Sequence, residues 1–317
     1  MARGTDRSPA WAGAEWVPCS EEGTANGNLR NVPTTLADVI GVLEGFYDPL
    51  WAESWDAVGL VCGDPDQPVT KVMFAVDPVT AVIDEALGWG ADLLVTHHPL
   101  LLRPVSSVAA TTPKGRSIHR LITGGLALYT AHTNADVADP GVSDALARAV
   151  GLSGPLRPLA PSAEDPRRGL GRIGEVPAPL TLAEFAAQVV KGLPATAAGV
   201  RLAGDPDRTI RTVAVCGGAG DSLLGTAAAA GADVYLTADL RHHPASESQE
   251  HSGGPALIDA AHWATEWPWL ADAERRMAGA LAAPPAGDRT APGVETRIST
   301  LVTDAWTFSC KPEGASQ

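Results

Sequence analysis

The chain has 317 residues, 45% hydrophobic and 19% charged, and its 37 acidic against 23 basic side chains leave a net charge of −14. That length can bury a sizeable core in one large or two smaller domains, and the acidic balance repels phosphate backbones, so a nucleic-acid partner is not expected. Four scattered cysteines (Cys19, Cys62, Cys216, Cys310) with no CxxC pair exclude a disulfide framework and a thiolate zinc site, and no apolar stretch is long enough to predict a membrane span. The start of the chain does not read as a signal peptide, and the expected location is the cytoplasm.

Residues 1–33 lack periodicity and are expected to form a mobile tail. A helix is predicted from Thr35 to about Tyr47, opened by a capping box with Asp38 in the glutamate role. An apolar strand at Val72–Val76, a helix at Val79–Trp89 and a strand at Ala91–Thr96 follow. Further buried strands are expected at Leu126–Ala131, Val213–Cys216, Val234–Thr237 and Ala256–Ala260. Continuous apolar runs alternating with helices predict an α/β protein with buried, mixed sheets.

An internal repeat refines this. Val72–Thr96 aligns without a gap to Val213–Thr237, 141 residues later; each copy has a strand, a helix, Gly-Ala-Asp and a strand ending in Thr. Gly-Ala-Asp is also a common helix stop, but the matched spacing predicts two similar α/β lobes, 34–150 and 211–310, facing an interlobe cleft where ligands collect at carboxyl ends of strands. Residues 151–210 read as a connector of modest structure, with a short strand at Gly171–Glu175 and a helix at Leu182–Lys191. A loop is expected at 283–293, a final strand near Arg297–Thr303, and a fraying tail at 311–317.

Polar clusters follow the predicted strands. His97-His98-Pro99 ends one of them; alone, it reads first as a surface or capping pair. His132-Thr133-Asn134-Ala135-Asp136 follows the next strand, where Asp136 is either a hard oxygen ligand or a cap for a helix near Ser143, and His132 and Asn134 are supporting or acid–base groups. His262 and Glu266 lie four residues apart, one helical turn, so both can share one ion. Together they offer three imidazoles and two carboxylates, a mixture suited to Zn, Mn, Fe or Co rather than Mg or Ca. Five side chains exceed what one open catalytic ion needs and fit two ions about 4 Å apart. A second His-His-Pro, at His242-His243-Pro244, makes His243 a candidate general acid or base, or else a solvated loop residue. The glycine-rich Gly217–Asp221 turn lacks the lysine of a P-loop and reads first as a tight turn.

On these residues the sequence resembles the NGG-interacting-factor-three-like family, whose members are often labelled GTP cyclohydrolase I type 2 homologs. Trp55-Asp56-Ala57-Val58-Gly59-Leu60 is similar to its Trp-Asp-Asn-x-Gly-Leu signature, with Ala57 in place of Asn. Thr96–Pro99, His132–Asp136 and His262–Glu266 are similar to its metal-binding segments. The resemblance implies two divalent ions held by His97, His98, Asp136, His262 and Glu266, two α/β lobes and a homohexameric ring. Two positions depart from the pattern: Thr237-Ala238-Asp239 replaces Thr-Gly-Glu, and Ala261-His262 replaces Gly-His. For function this leaves a metal-dependent hydrolase of a nucleotide-like, cyclic-amide or phosphoester small molecule, with His132 or His243 moving the proton. The alternatives are a non-catalytic metal chaperone or regulator, or metals that only staple the lobes.

Overall fold

The computed structural model describes residues 33–282 and 293–310. The tails and loop expected at 1–33, 283–293 and 311–317 lie almost wholly outside these residues. In chain order the elements are α1 (Leu36–Phe46), β1 (Gly59–Cys62), β2 (Lys71–Ala75), α2 (Thr80–Trp89), β3 (Leu93–Thr96), α3 (Pro113–Thr123), β4 (Ala127–Thr130), α4 (Thr133–Val137) and α5 (Val142–Ala149). They continue with β5 (Ser153–Pro161), β6 (Gly169–Thr181), α6 (Leu182–Gly192), β7 (Arg201–Ala203), β8 (Thr209–Ala219), α7 (Leu224–Ala229), β9 (Val234–Ala238), α8 (His242–Glu250), β10 (Ala256–Ala260), α9 (His262–Ala282) and β11 (Glu295–Ile298).

Two mixed sheets result, ordered β1-β4-β3-β2-β11 and β5-β6-β8-β9-β10-β7. In the first, β4, β3, β2 and β11 are parallel and β1 is antiparallel. In the second, β8, β9 and β10 are parallel, flanked by antiparallel β6 and β7. The repeat survives as register: Val72 lies opposite Leu93 in the first sheet, and Val213 lies opposite Val234 in the second. The Asp of each Gly-Ala-Asp does the same work. Asp92 Oδ2 accepts the backbone N–H of Thr70 (2.7 Å) and Lys71 (2.9 Å); Asp233 Oδ2 accepts those of Arg211 and Thr212 (both 2.8 Å). Gly90 and Gly231 end the preceding helices at φ 76° and 75°, a conformation only glycine adopts without strain.

Strand side chains alternate between two environments. Val72, Phe74, Val95, Val213, Val215 and Leu236 enter one central core with α1, α5, α6 and α9, which ties the sheets together. Met73, Ala75 and Leu94 pack instead with α2 and α3, and Ala214, Cys216 and Tyr235 with α7. Both faces of each sheet are therefore covered, which is why the strands read as unbroken apolar runs. Thr35 and Asp38 make the expected capping box, and Thr181 with Glu184 repeats it at α6.

Several elements differ from expectation. Residues 151–210, read as a connector, supply β5, β6 and β7 to the second sheet and α6 to the core beside it; the short strand expected at 171–175 lies inside the 13-residue β6. Its prolines and glycines hid it, and both are tolerated there because β5 is an edge strand and the ladder shifts register. The last strand begins at Glu295 and ends at Ile298, earlier than expected; Ser299 still gives its N–H to Phe74 O (2.8 Å), and its hydroxyl donates to Glu85 (2.6 Å). The segment containing His243 is helical, and α5 begins at Val142 with Asp144, not Asp136, accepting the Gly141 N–H.

Candidate metal centre

The carboxyl ends of β3 and β4 in one sheet and of β9 and β10 in the other converge. Beyond Thr96 the ladder continues for two residues (His97 N to Ala75 O, 3.2 Å; His98 N to Val76 O, 2.9 Å), while the Thr96 hydroxyl donates to His98 O at 3.0 Å and tightens the turn. Both imidazoles thereby reach Glu266, which α9 brings from the second lobe. His97 Nε2 lies 3.4 Å from Glu266 Oε1, and His98 Nε2 lies 3.1 Å from Oε2. His262, one turn before Glu266 on α9, places Nε2 2.9 Å from Oε1 and 3.3 Å from His98 Nε2. Asp136, on α4, is looser, with Oδ1 3.8 Å from His97 Nε2.

The far side of each ring is fixed. His97 Nδ1 donates to the Ala131 carbonyl (2.9 Å), His98 Nδ1 to Asp77 (2.7 Å), His262 Nδ1 to Asp239 (2.7 Å) and His132 Nδ1 to Asp56 (2.8 Å). A carbonyl can only accept, so Nδ1 of His97 carries the proton; in a neutral ring the Nε2 lone pair then points inward. Among the described residues that Nε2 is buried without a hydrogen-bond partner, as is Glu266 Oε2. Buried polar atoms without partners are rare, and converging imidazole lone pairs around one carboxylate are the donor set a transition-metal ion takes. Among the described residues, two groups have ligand atoms within 4.8 Å of one another and could hold a metal ion: His97, His98 and His132, and His98, His262 and Glu266.

The electrostatics reflect this crowding. Burial opposes charging of His97, but Glu266 and Asp136 outweigh it and raise its pKa. Burial likewise opposes charging of His98, but Glu266 and Asp77 raise it well above the ordinary value. His262 rises to about 9, with burial overcome by Glu266 and Asp239. Burial pushes the Glu266 carboxyl up, yet His98, His97 and His262 hold it well below the usual range. Asp136 is raised, chiefly by burial. Glu266 thus favours a proton on each imidazole around it, and a bound cation would compete with those protons.

Not every expected site residue is gathered here. His97, His98, His262 and Glu266 meet; His132 joins them, its ring centroid 5.2 Å from that of His97 and 5.6 Å from that of His98. Asn134 is buried and structural, accepting His132 N–H and donating to Tyr47 O. His243 is exposed on α8 and packs on His242, away from the cluster. The orienting carboxylates Asp77 and Asp239 were not assigned from sequence, although each ends a strand run. Asp239 holds a positive φ of 55°, uncommon for a non-glycine residue. The glycine-rich turn serves close approach: Gly218 (φ 68°) lies against the cluster, where a Cβ would stand 2.4 Å from Glu266 Oε1 and 3.1 Å from His262 Nε2.

Fold and site together define a two-lobed α/β protein with a buried histidine–carboxylate cluster at facing strand ends. The chain belongs to the Duf34/NIF3 (NGG1p interacting factor 3) family, whose model matches residues 34–285. It is 56% identical over 274 residues to the GTP cyclohydrolase 1 type 2 homolog of Streptomyces coelicolor, covering 86% of this chain and 93% of that protein. Among solved structures it resembles a Bacillus cereus protein related to NIF3 (TM-score 0.78, 25% identity, 87% of this chain and 99% of that one). It also resembles a Staphylococcus aureus protein (TM-score 0.78, 28% identity, 88% and 100%). No described helix is long and apolar enough to cross a membrane.

Proposed function

We propose that the cluster holds two divalent ions of the Zn, Mn, Fe or Co class through His97, His98, Asp136, His262 and Glu266. On this reading the protein is a metal-dependent hydrolase of a nucleotide-like, cyclic-amide or phosphoester substrate, in keeping with the name its relatives carry. The observation that supports it most is the pair of His98 and His262 Nε2 atoms 3.3 Å apart, each ring tied by Nδ1 to its own carboxylate, with Glu266 beneath both. Bound divalent ions supply Lewis-acid polarisation of substrate oxygens and ease deprotonation of water. The chain's own residues do the rest. Asp77, Asp239 and the Ala131 carbonyl fix the ligand rings. His132, held by Asp56 and flanked by Trp55 (centroids 6.0 Å apart), offers its Nε2 to take and return a proton. The exposed placement of His243 leaves that role to His132.

The deep burial of His97 and Glu266 favours a second reading, a metal chaperone or regulator without turnover. For the assembly and location we propose a cytoplasmic homo-oligomer, hexameric by family resemblance, which light scattering on the purified protein checks. Elemental analysis of wild type and of a His97→Ala/Glu266→Ala variant tests the centre itself. About two ions per chain, absent from the variant, are expected; no metal in either form after loading would overturn it. A hydrolysis screen with the metal found then separates enzyme from regulator.

A further inference from the structure

Two carboxylates that stand behind imidazoles of the cluster are held in turn by threonine hydroxyls. Behind His132, Asp56 accepts the Thr133 hydroxyl (2.5 Å) and N–H (3.0 Å) on Oδ2 and the Ala57 N–H (2.7 Å) on Oδ1. All these donors are chain neighbours of His132 or of Asp56. Behind His98, Asp77 accepts the ring N–H on Oδ1 and the Thr303 hydroxyl on Oδ2, its two hydrogen-bond partners among the described residues. The same arrangement of ring, carboxylate and hydroxyl is thus built twice, once from neighbours and once from the far end of the chain.

The sheet explains how Thr303 arrives. β11 and β2 are parallel, with Ile298 opposite Phe74, so both chains leave the sheet at the same end. Ser299 O then takes the indole N–H of Trp267 from α9 (3.1 Å). Residues 299–310 form no helix or strand. Just past Thr303, Asp304 turns its carboxyl back onto the Ala305 and Trp306 amides. The hydroxyl is therefore delivered by a segment pinned on both sides of it but supported by no ladder. The last torsion of an aspartate is broad, so a carboxylate held through one oxygen swings, and a charge-assisted bond to the other oxygen narrows that swing. Asp56 has three such donors besides its ring; Asp77 has Thr303.

We propose that Thr303 is a positioning residue of the metal centre: by fixing Asp77 it fixes the direction in which His98 offers Nε2. The C-terminal segment then belongs to the centre although it supplies no ligand. The proposal rests on the cluster holding metal and adds that the hydroxyl at position 303 sets how tightly the His98 side holds it.

Competition titration of the full chain with Co(II), read together with the visible spectrum of the bound ion, tests it. Thr303→Val keeps the shape and removes the donor. It is expected to weaken Co(II) about tenfold, the low end for partners of ligating histidines, and to shift the Co(II) bands. Thr303→Ser should restore both. Trp306→Ala, in the same segment and 71% exposed, should bind as wild type does. In an Asp77→Ala background Thr303→Val should cost less than about twofold, because the hydroxyl acts through that carboxylate. Should Thr303→Val fail to fold, Thr303→Ala takes its place with the same expected loss. Wild-type affinity and spectrum in the variant lacking the hydroxyl, no recovery in Thr303→Ser, an equal loss in Trp306→Ala, or full additivity with Asp77→Ala overturns the proposal and leaves the metal centre standing. No Co(II) bound by wild type removes the metal centre, and this role with it.

Discussion

After β3 the chain reads Thr96-His97-His98; after β9, at the same place in the repeat, it reads Thr237-Ala238-Asp239. The strands before these residues pair in the same register, their glycines take the same φ, and Asp92 and Asp233 clamp the same two backbone amides. Yet the first lobe offers two candidate ligands at this position, and the second offers a carboxylate that orients the candidate ligand His262 from the next strand end. The difference teaches where each constraint lives. Strand interiors are packed on both faces and cannot vary freely, whereas the residues just past the strand ends leave the ladder and can be given unlike chemistry. Glu266, from the second lobe, then sits among two imidazoles of the first, so the two lobes complete one site.

The sharpest break of this arrangement is Glu266→Ala. It leaves His97, His98 and His262 with no central carboxylate, and breaking a buried charge cluster from one side costs about 3–5 kcal/mol. The expected result is loss of bound metal and a melting temperature lowered by several degrees; metal content like wild type would break the view that the lobes share a site. Next comes pH. His262 titrates at about 9 in the folded, metal-free protein and near 6.5 when unfolded, so the fold binds more protons between those values. Its contribution is full below pH 6.5 and is lost as pH rises through about 9. Metal-free protein should therefore lose stability over that window, while metal binding should strengthen and release protons. Titration calorimetry in two buffers of different ionisation heat reads that release.

Much of this was legible beforehand, for identifiable reasons. Apolar runs such as Leu93–Thr96 betrayed strands buried on both faces, and the gapless repeat carried the two-lobed plan. His97, His98, His262 and Glu266 were legible because chemistry forced them to strand ends or to one helical turn. The second sheet's β5 and β6 were not, because Pro155, Pro158 and Pro161 break the pattern and only tertiary pairing holds those strands. Asp77 was hidden for another reason: it acts across 21 residues on His98, and no local period records such a partnership.

A smaller effect sharpens the comparison of orienting carboxylates. Asp77 is the more sheltered, with its side chain 22% exposed against 59% for Asp239. Removing the charge behind a ligating imidazole typically weakens metal binding by about 10–100-fold. Asp77→Asn is expected toward the upper end of that range and Asp239→Asn toward the lower, since water can replace the second carboxylate more readily. Equal losses in metal competition titrations would mean that exposure does not grade these partners.

The smallest predicted effect tests the shared plan itself. Asp92→Ala and Asp233→Ala each remove two charge-assisted bonds to backbone amides, and Asp92→Ala also removes one from the Thr70 hydroxyl (2.8 Å). Each should cost about 1–2 kcal/mol, since every such bond contributes modestly and the amides regain some water. The two losses should agree to within that one exposed hydroxyl bond and leave metal content untouched, because neither residue approaches the cluster. Denaturant midpoints for both variants, read beside their metal stoichiometry, decide the point. A loss in Asp233→Ala that is smaller by more than that hydroxyl bond would show that the second lobe, widened by β5 and β6, no longer leans on the clamp that the first lobe still needs.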